Sequence, residues 1–206
     1  MATYGFSQIH LAEGLHLVDL AGTKADLEMA CEFIERLITM LTSASEGSHL
    51  DVEALAIAAI IRYGRAFKGG VRKIGKAQII FDLPSDIKET HNLFLMWRDK
   101  HIAHSVNDFE TALLQARYCV ERLHDEGITQ VNVTSSQVIS PGTKELEALL
   151  KAAQFFIVRL ERLIELESAR VLKIVRELPV DEVLARDLPA MIPGNDKRTV
   201  GTPRKK

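Results

Sequence analysis

Leu27, Cys31, Ile34, Leu37, Ile38 and Leu41 recur at steps of three and four residues. That spacing puts them on one face of a helix of period 3.6. Thr23 or Asp26 is suited to cap its start, and Ser43, Ser45, Gly47 and Ser48 mark its end. The first 22 residues are ambiguous. Ile9, Ala12, Leu15 and Val18 fit a helical face, but Gly5, Gly14 and Gly22 weaken it. A second helix is expected from about Asp51 to Phe67. Its middle, ALAIAAII, is apolar all round and should be the most buried element. Gly69-Gly70 ends it, and Gln78 to Leu83 has some strand character.

Pro84-Ser85-Asp86 opens a third helix carrying Ile87, His91, Phe94, Leu95, Arg98 and Ile102 at helical spacing. A fourth is expected to start at Asn107, with Glu110 three residues on as in a capping box. Leu113, Ala116, Val120 and Leu123 would form its face. Residues 128–139, ITQVNVTSSQVI, are β-branched and partly alternating, which suits a short strand or extended arm. The last helix is the longest. Leu146, Leu149, Ala153, Phe156, Leu160 and Leu163 set its rhythm, Val171 and Ile174 continue it, and Pro179 stops it.

The expected fold is an all-α bundle of about five helices, with a long C-terminal helix and minor extended segments. Its parts are an uncertain N-terminal segment (1–22), a helical domain (23–188) and a basic tail (189–206). The tail, MIPGNDKRTVGTPRKK after Pro189, is rich in Pro, Gly and charge and is expected to be disordered.

Composition narrows the class without choosing a function. Of 206 residues 47% are apolar, enough for a sizeable core, and the net charge of -2 selects no polyanionic partner. Cys31 and Cys119 form no CxxC, and the histidines show no metal-ligand spacing, so no metal or cofactor is expected. No apolar run is long enough to cross a bilayer, and the opening residues lack a secretory pattern. A cytoplasmic protein with no membrane partner is therefore expected.

Local charge changes the picture. From Ala54 to Phe81 there are six cations and no acid: Arg62, Arg65, Lys68, Arg72, Lys73 and Lys76. Such a stretch can grip a phosphate backbone, although a solvated basic loop explains it equally well. Arg98, Asp99, Lys100, His101 and His104 then fall within seven residues at an expected helix end. A neutral imidazole can take a proton from a ribose 2′-hydroxyl near neutral pH. A guanidinium can clamp a phosphate and stabilise charge growing on it. Arg98 and His104 lie six positions apart, about 120° around an ideal helix. They converge only if the helix ends or bends before His104, or if a second copy completes the site. The plainer alternative is that Lys100, His101 and His104 complement a helix dipole.

Arg98-Asp99 followed by His104, in the word RDKHIAHS, resembles the arginine–polar–spacer–histidine motif of the HEPN superfamily. YGRAFKGGVR at 63–72 is similar to the subgroup associated with bacterial abortive infection and toxin–antitoxin systems. The motif covers about eight residues, and the helix pattern covers roughly residues 25–178.

The resemblance implies an all-α domain that dimerises, so that Arg and His from two protomers share one cleft. It also implies metal-independent cleavage of RNA. His104 would be the acid/base, Arg98 the phosphate contact and Asp99 its polar partner. Outside the motif, the local charge makes Lys100, His101, Arg65, Lys68 and Arg72 the further candidate substrate contacts, with the role of His101 open. A toxin or phage-defence effector with an antitoxin partner fits that reading. The alternative is a non-catalytic dimer module that binds RNA, nucleotide or protein through the same cleft.

Overall fold

The computed structural model describes residues 11–43, 48–67, 76–102, 110–122 and 127–181. Among them are helices α1 (Leu15–Thr42), α2 (His49–Phe67), α3 (Lys76–Ile80), α4 (Ser85–Trp97) and α5 (Thr143–Arg176). A π-helical turn, Arg98–Ile102, continues α4, and strands β1 (Glu110–Tyr118) and β2 (Ile128–Gln137) form an antiparallel hairpin. The chain is mainly helical, but the hairpin makes it α-helical with a small sheet rather than all-α.

Helices α1, α2, α4 and α5 share one core. Leu27, Ile34 and Leu37 of α1, Ala59, Ile60 and Tyr63 of α2, Phe94 of α4, and Leu146, Leu149, Phe156 and Leu160 of α5 are all buried. On α1, α4 and α5 these are positions that the three–four spacing picked out. α1 and α5 run antiparallel: Lys24 meets Glu161 at 3.4 Å, and Arg170 donates to the Glu13 carbonyl at 2.6 Å. α5 has 34 residues, so it is ~51 Å long. Its core positions stop at Leu160, and beyond them Leu166 and Leu172 are exposed.

Three expectations are corrected. First, α1 starts at Leu15, not near Thr23 or Asp26. Both residues are buried inside the helix; Thr23 donates its hydroxyl to the Asp19 carbonyl at 2.8 Å, and Asp26 forms ion pairs rather than a cap. Second, the strand expected at Gln78–Leu83 is the end of α3 followed by a turn in which Asp82 has φ 49°. Arg159 of α5 ties that turn down by donating to the carbonyls of Ile79 (3.0 Å) and Asp82 (3.1 Å).

Third, the helix expected over Leu113, Ala116 and Val120 is β1 as far as Tyr118, followed by a short 3-10 turn at Val120–Arg122. ALLQAR is good helix-forming sequence, but it also alternates, and β2 offers a β-branched partner. Leu114 pairs with Val133 and Ala116 with Val131, so cross-strand pairing decides the element. The extended arm expected at 128–139 is β2. Asn107 and Leu123 lie outside the described residues.

Candidate functional site

The site is built where α4 passes into the π turn beside the end of α2. π turns are rare and frequently found at functional positions. Here the turn starts at Arg98, the expected phosphate contact. The side chain of Arg98 is about one-third exposed and donates from its guanidinium to the Asp99 carboxylate at 2.9 Å. Its aliphatic stem lies on α2 at Gly64. A Cβ at that glycine would stand 2.9 Å from Arg98 Cδ and 3.0 Å from Cγ. The glycine is therefore what lets the arginine approach the helix backbone so closely.

Next to Gly64 along α2, two further arginines share one acid. Asp26 of α1 is 3% exposed and receives Arg62 at 2.7 Å, with Arg65 at 3.5 Å. Arg62 and Arg65 are one turn apart on the same helix face. Their side chains remain substantially open to solvent, at 38% and 50% exposure. The buried carboxylate holds each guanidinium by one nitrogen, while both side chains stay partly open to solvent.

Behind this surface is an aromatic cluster. The buried Tyr63 hydroxyl is hydrogen-bonded to His91 Nδ1 at 3.0 Å. The His91 ring packs edge-on to Phe67 and tilted against Phe156, with centroids 4.5 and 5.3 Å apart. Burial pushes the Tyr63 hydroxyl well above the usual phenol range, so it stays protonated. His91 shares the helix face of Arg98 in sequence, yet it is a core residue and not a wall of an open cleft. Tyr63 and Phe67 are likewise buried and offer no stacking platform.

Of the expected site residues, Arg98 and Asp99 are in direct contact, Lys100 is exposed on the same π turn, and Arg65 lies on α2 beside Gly64. The backbone of His101 belongs to the turn. His104, Lys68 and Arg72 lie outside the described residues, as does the basic tail. Sequence reasoning missed Gly64 and the ion-pairing role of Asp26. A glycine inside ALAIAAIIRYGRAF costs ~1 kcal/mol relative to alanine. That cost was the available signal of a close approach.

A separate open groove of about 640 Å³ lies between the start of α4 and α5, lined in part by Pro84, Ile87, Phe155, Val158 and Arg162. It is at the opposite end of α4 from Arg98 and contains none of the expected site residues. Among the described residues, no group of three His, Cys, Asp or Glu side chains is placed to hold a metal. No helix there is long and apolar enough to cross a membrane. No protein family, curated protein or solved structure matches the chain.

Proposed function

We propose that the chain is a metal-independent endoribonuclease of HEPN type, acting as a homodimer on RNA. The observation that carries the reading is Arg98. Its stem is seated against Gly64, and its side chain is about one-third exposed at a widened helix end. A cation held this way is pre-organised for a phosphodiester and for the charge that grows on it during cleavage. In the proposed reaction His104 takes the proton of a ribose 2′-hydroxyl. The 2′ oxygen bonds to phosphorus as the 5′ oxygen of the next nucleotide leaves, taking a proton back from the imidazolium that His104 has become. The products are a 2′,3′-cyclic phosphate and a 5′-hydroxyl. Arg98 contacts the phosphate, Asp99 orients Arg98, and Lys100, His101, Arg65, Lys68 and Arg72 extend the contact to neighbouring phosphates. A cytoplasmic toxin or phage-defence effector, restrained by an antitoxin, is the setting this activity suits.

One observation favours the second reading, a non-catalytic binding module. Asp99 already occupies part of the Arg98 guanidinium, and a phosphate has to share or displace it. Incubation of the purified chain with total RNA and a chelator separates the two. The expected result is cleavage with cyclic-phosphate ends that disappears in Arg98→Ala and His104→Ala. Equal RNA decay in wild type and both variants sinks the enzyme reading.

A further inference from the structure

Two polar bridges tie α5 to the segment that leads into α4. At one, Lys151 donates to the Asp86 carboxylate at 2.7 Å. Eight residues on, about 12 Å along the helix, Arg159 donates to the carbonyls of Ile79, Phe81 and Asp82. Lys151, Asp86 and Arg159 all line the open groove of about 640 Å³. Its apolar surface comes from Pro84, Ile87, Phe155 and Val158. Ile87 belongs to the core, Phe155 is half-buried with the Arg159 guanidinium 4.6 Å over its ring, and Val158 is 58% exposed. The groove therefore has a rigid apolar wall and an open mouth.

The charge of this lining runs against that of the chain. Lys151, Arg159 and Arg162 stand against Asp86 alone, whereas the whole chain carries a net charge of -2. Asp86 is already held by Lys151. Arg159 bonds to carbonyl oxygens, which carry no formal charge, and these bonds leave part of its donor fork unused. Arg162 is exposed one turn on, and among the described residues it forms no ion pair, even with Glu165 a turn further along. Two guanidinium groups without a carboxylate, beside an apolar trough, are short of one anion. We infer that the groove binds a small organic carboxylate, its apolar body laid over Phe155 and Val158 and its acid group paired with Arg162 and Arg159. A guanidinium receives a carboxylate through two parallel hydrogen bonds. The volume falls within the roughly 300–1,000 Å³ of small-ligand sites. The bridges limit the stretch to about 12 Å, the length of one small molecule but little more than two turns of a partner helix. Among the described lining residues Gln154 is the single uncharged polar side chain, too few partners for a sugar or a base edge. The groove is at the far end of α4 from Arg98, so this site does not depend on the ribonuclease reading.

Titration of the purified chain with decanoate, followed by amide and methyl NMR, tests this. Decanoate is expected to bind with a Kd of about 0.1–1 mM, in keeping with its size, and to shift the Val158 and Phe155 signals first. The decyltrimethylammonium ion, the same chain with the opposite charge, is expected to leave those signals in place. Arg162→Glu is expected to weaken decanoate about tenfold, and Val158→Asp to abolish its binding. Both side chains are exposed, so helical circular dichroism should match wild type. Unmoved groove signals at about 10 mM decanoate overturn the inference. So do equal shifts with decyltrimethylammonium, or undiminished binding in a folded Arg162→Glu or Val158→Asp protein. Groove signals that move with protein concentration alone also overturn it, because a second copy then covers the site.

Discussion

The bundle and the hairpin use similar side chains in opposite ways. In the bundle Phe156 is fully buried, packed against Phe67 and Tyr63 at centroid distances of 4.6 and 6.5 Å. In the hairpin Leu114 is as apolar a residue as any in the core, yet three-quarters of it faces solvent. Apolar content alone therefore does not say what holds the chain together. The bundle is stabilised by burial inside one chain, whereas the hairpin has its apolar surface left over for something else. The sharpest break of this contrast is a pair of truncations. Phe156→Ala should cost about 3–5 kcal/mol in urea unfolding, from lost burial plus the cavity left behind. Leu114→Ala should cost under ~0.5 kcal/mol in dilute, monomeric protein. Comparable losses in both would mean that the hairpin is part of the cooperative core.

The two cysteines sample the same two regions. Cys31 lies in the core on α1, and Cys119 follows β1, where its thiol donates to Glu121 at 3.1 Å. Burial, with Glu35 and Glu28 adding repulsion, pushes the Cys31 thiol up to about 11. An unfolded cysteine ionises near 8.5. The folded value is the higher one, so the fold keeps this contribution below pH ~8.5 and loses it as pH rises toward 11. The free energy of unfolding should therefore fall by about 1–2 kcal/mol over that window in wild type, and by less in Cys31→Ala. At pH 8 a thiol reagent should label Cys119 within minutes and Cys31 only after unfolding. Rapid labelling of both residues in the native protein would contradict the burial of α1.

The regions also differed in how far the sequence revealed them. α5 was readable because Leu146, Leu149, Ala153, Phe156 and Leu160 keep one period for several turns, and only a helix buries them together. β1 was not. Leu113, Ala116 and Val120 fit a helical stripe, while Ala112, Leu114 and Ala116 fit a strand. The choice was made by β2, more than ten residues away. The start of α1 was misjudged for a related reason. Asp26 has the chemistry of a cap, but Arg62, 36 positions on, gives it a partner that permits burial mid-helix. At the site, Arg98 and Asp99 stood out by their local word. Gly64 did not, because its importance lies in a contact with α4 that local sequence cannot display.

Gly64 also gives the finest test, because stability and function should separate there. Replacing it with alanine removes a helix-interior glycine, a gain of up to ~1 kcal/mol. Against that, the new methyl would sit 2.9 Å from Arg98 Cδ. The obstacle is a flexible side chain rather than backbone, so the arginine swings away at little cost to the fold. Thermal stability of Gly64→Ala should therefore stay within about ±1 kcal/mol of wild type. The guanidinium, however, leaves the position that α2 gave it, and misplacement on the scale of 1 Å costs about a hundredfold in a positioned reaction. In the proposed ribonuclease, RNA cleavage should fall by that order while the fold holds. If cleavage is undiminished in a folded Gly64→Ala protein, the seat on α2 is packing alone and Arg98 owes nothing to it. If the protein instead unfolds, Arg98 is locked far more rigidly than a side chain one-third exposed at a helix end should be.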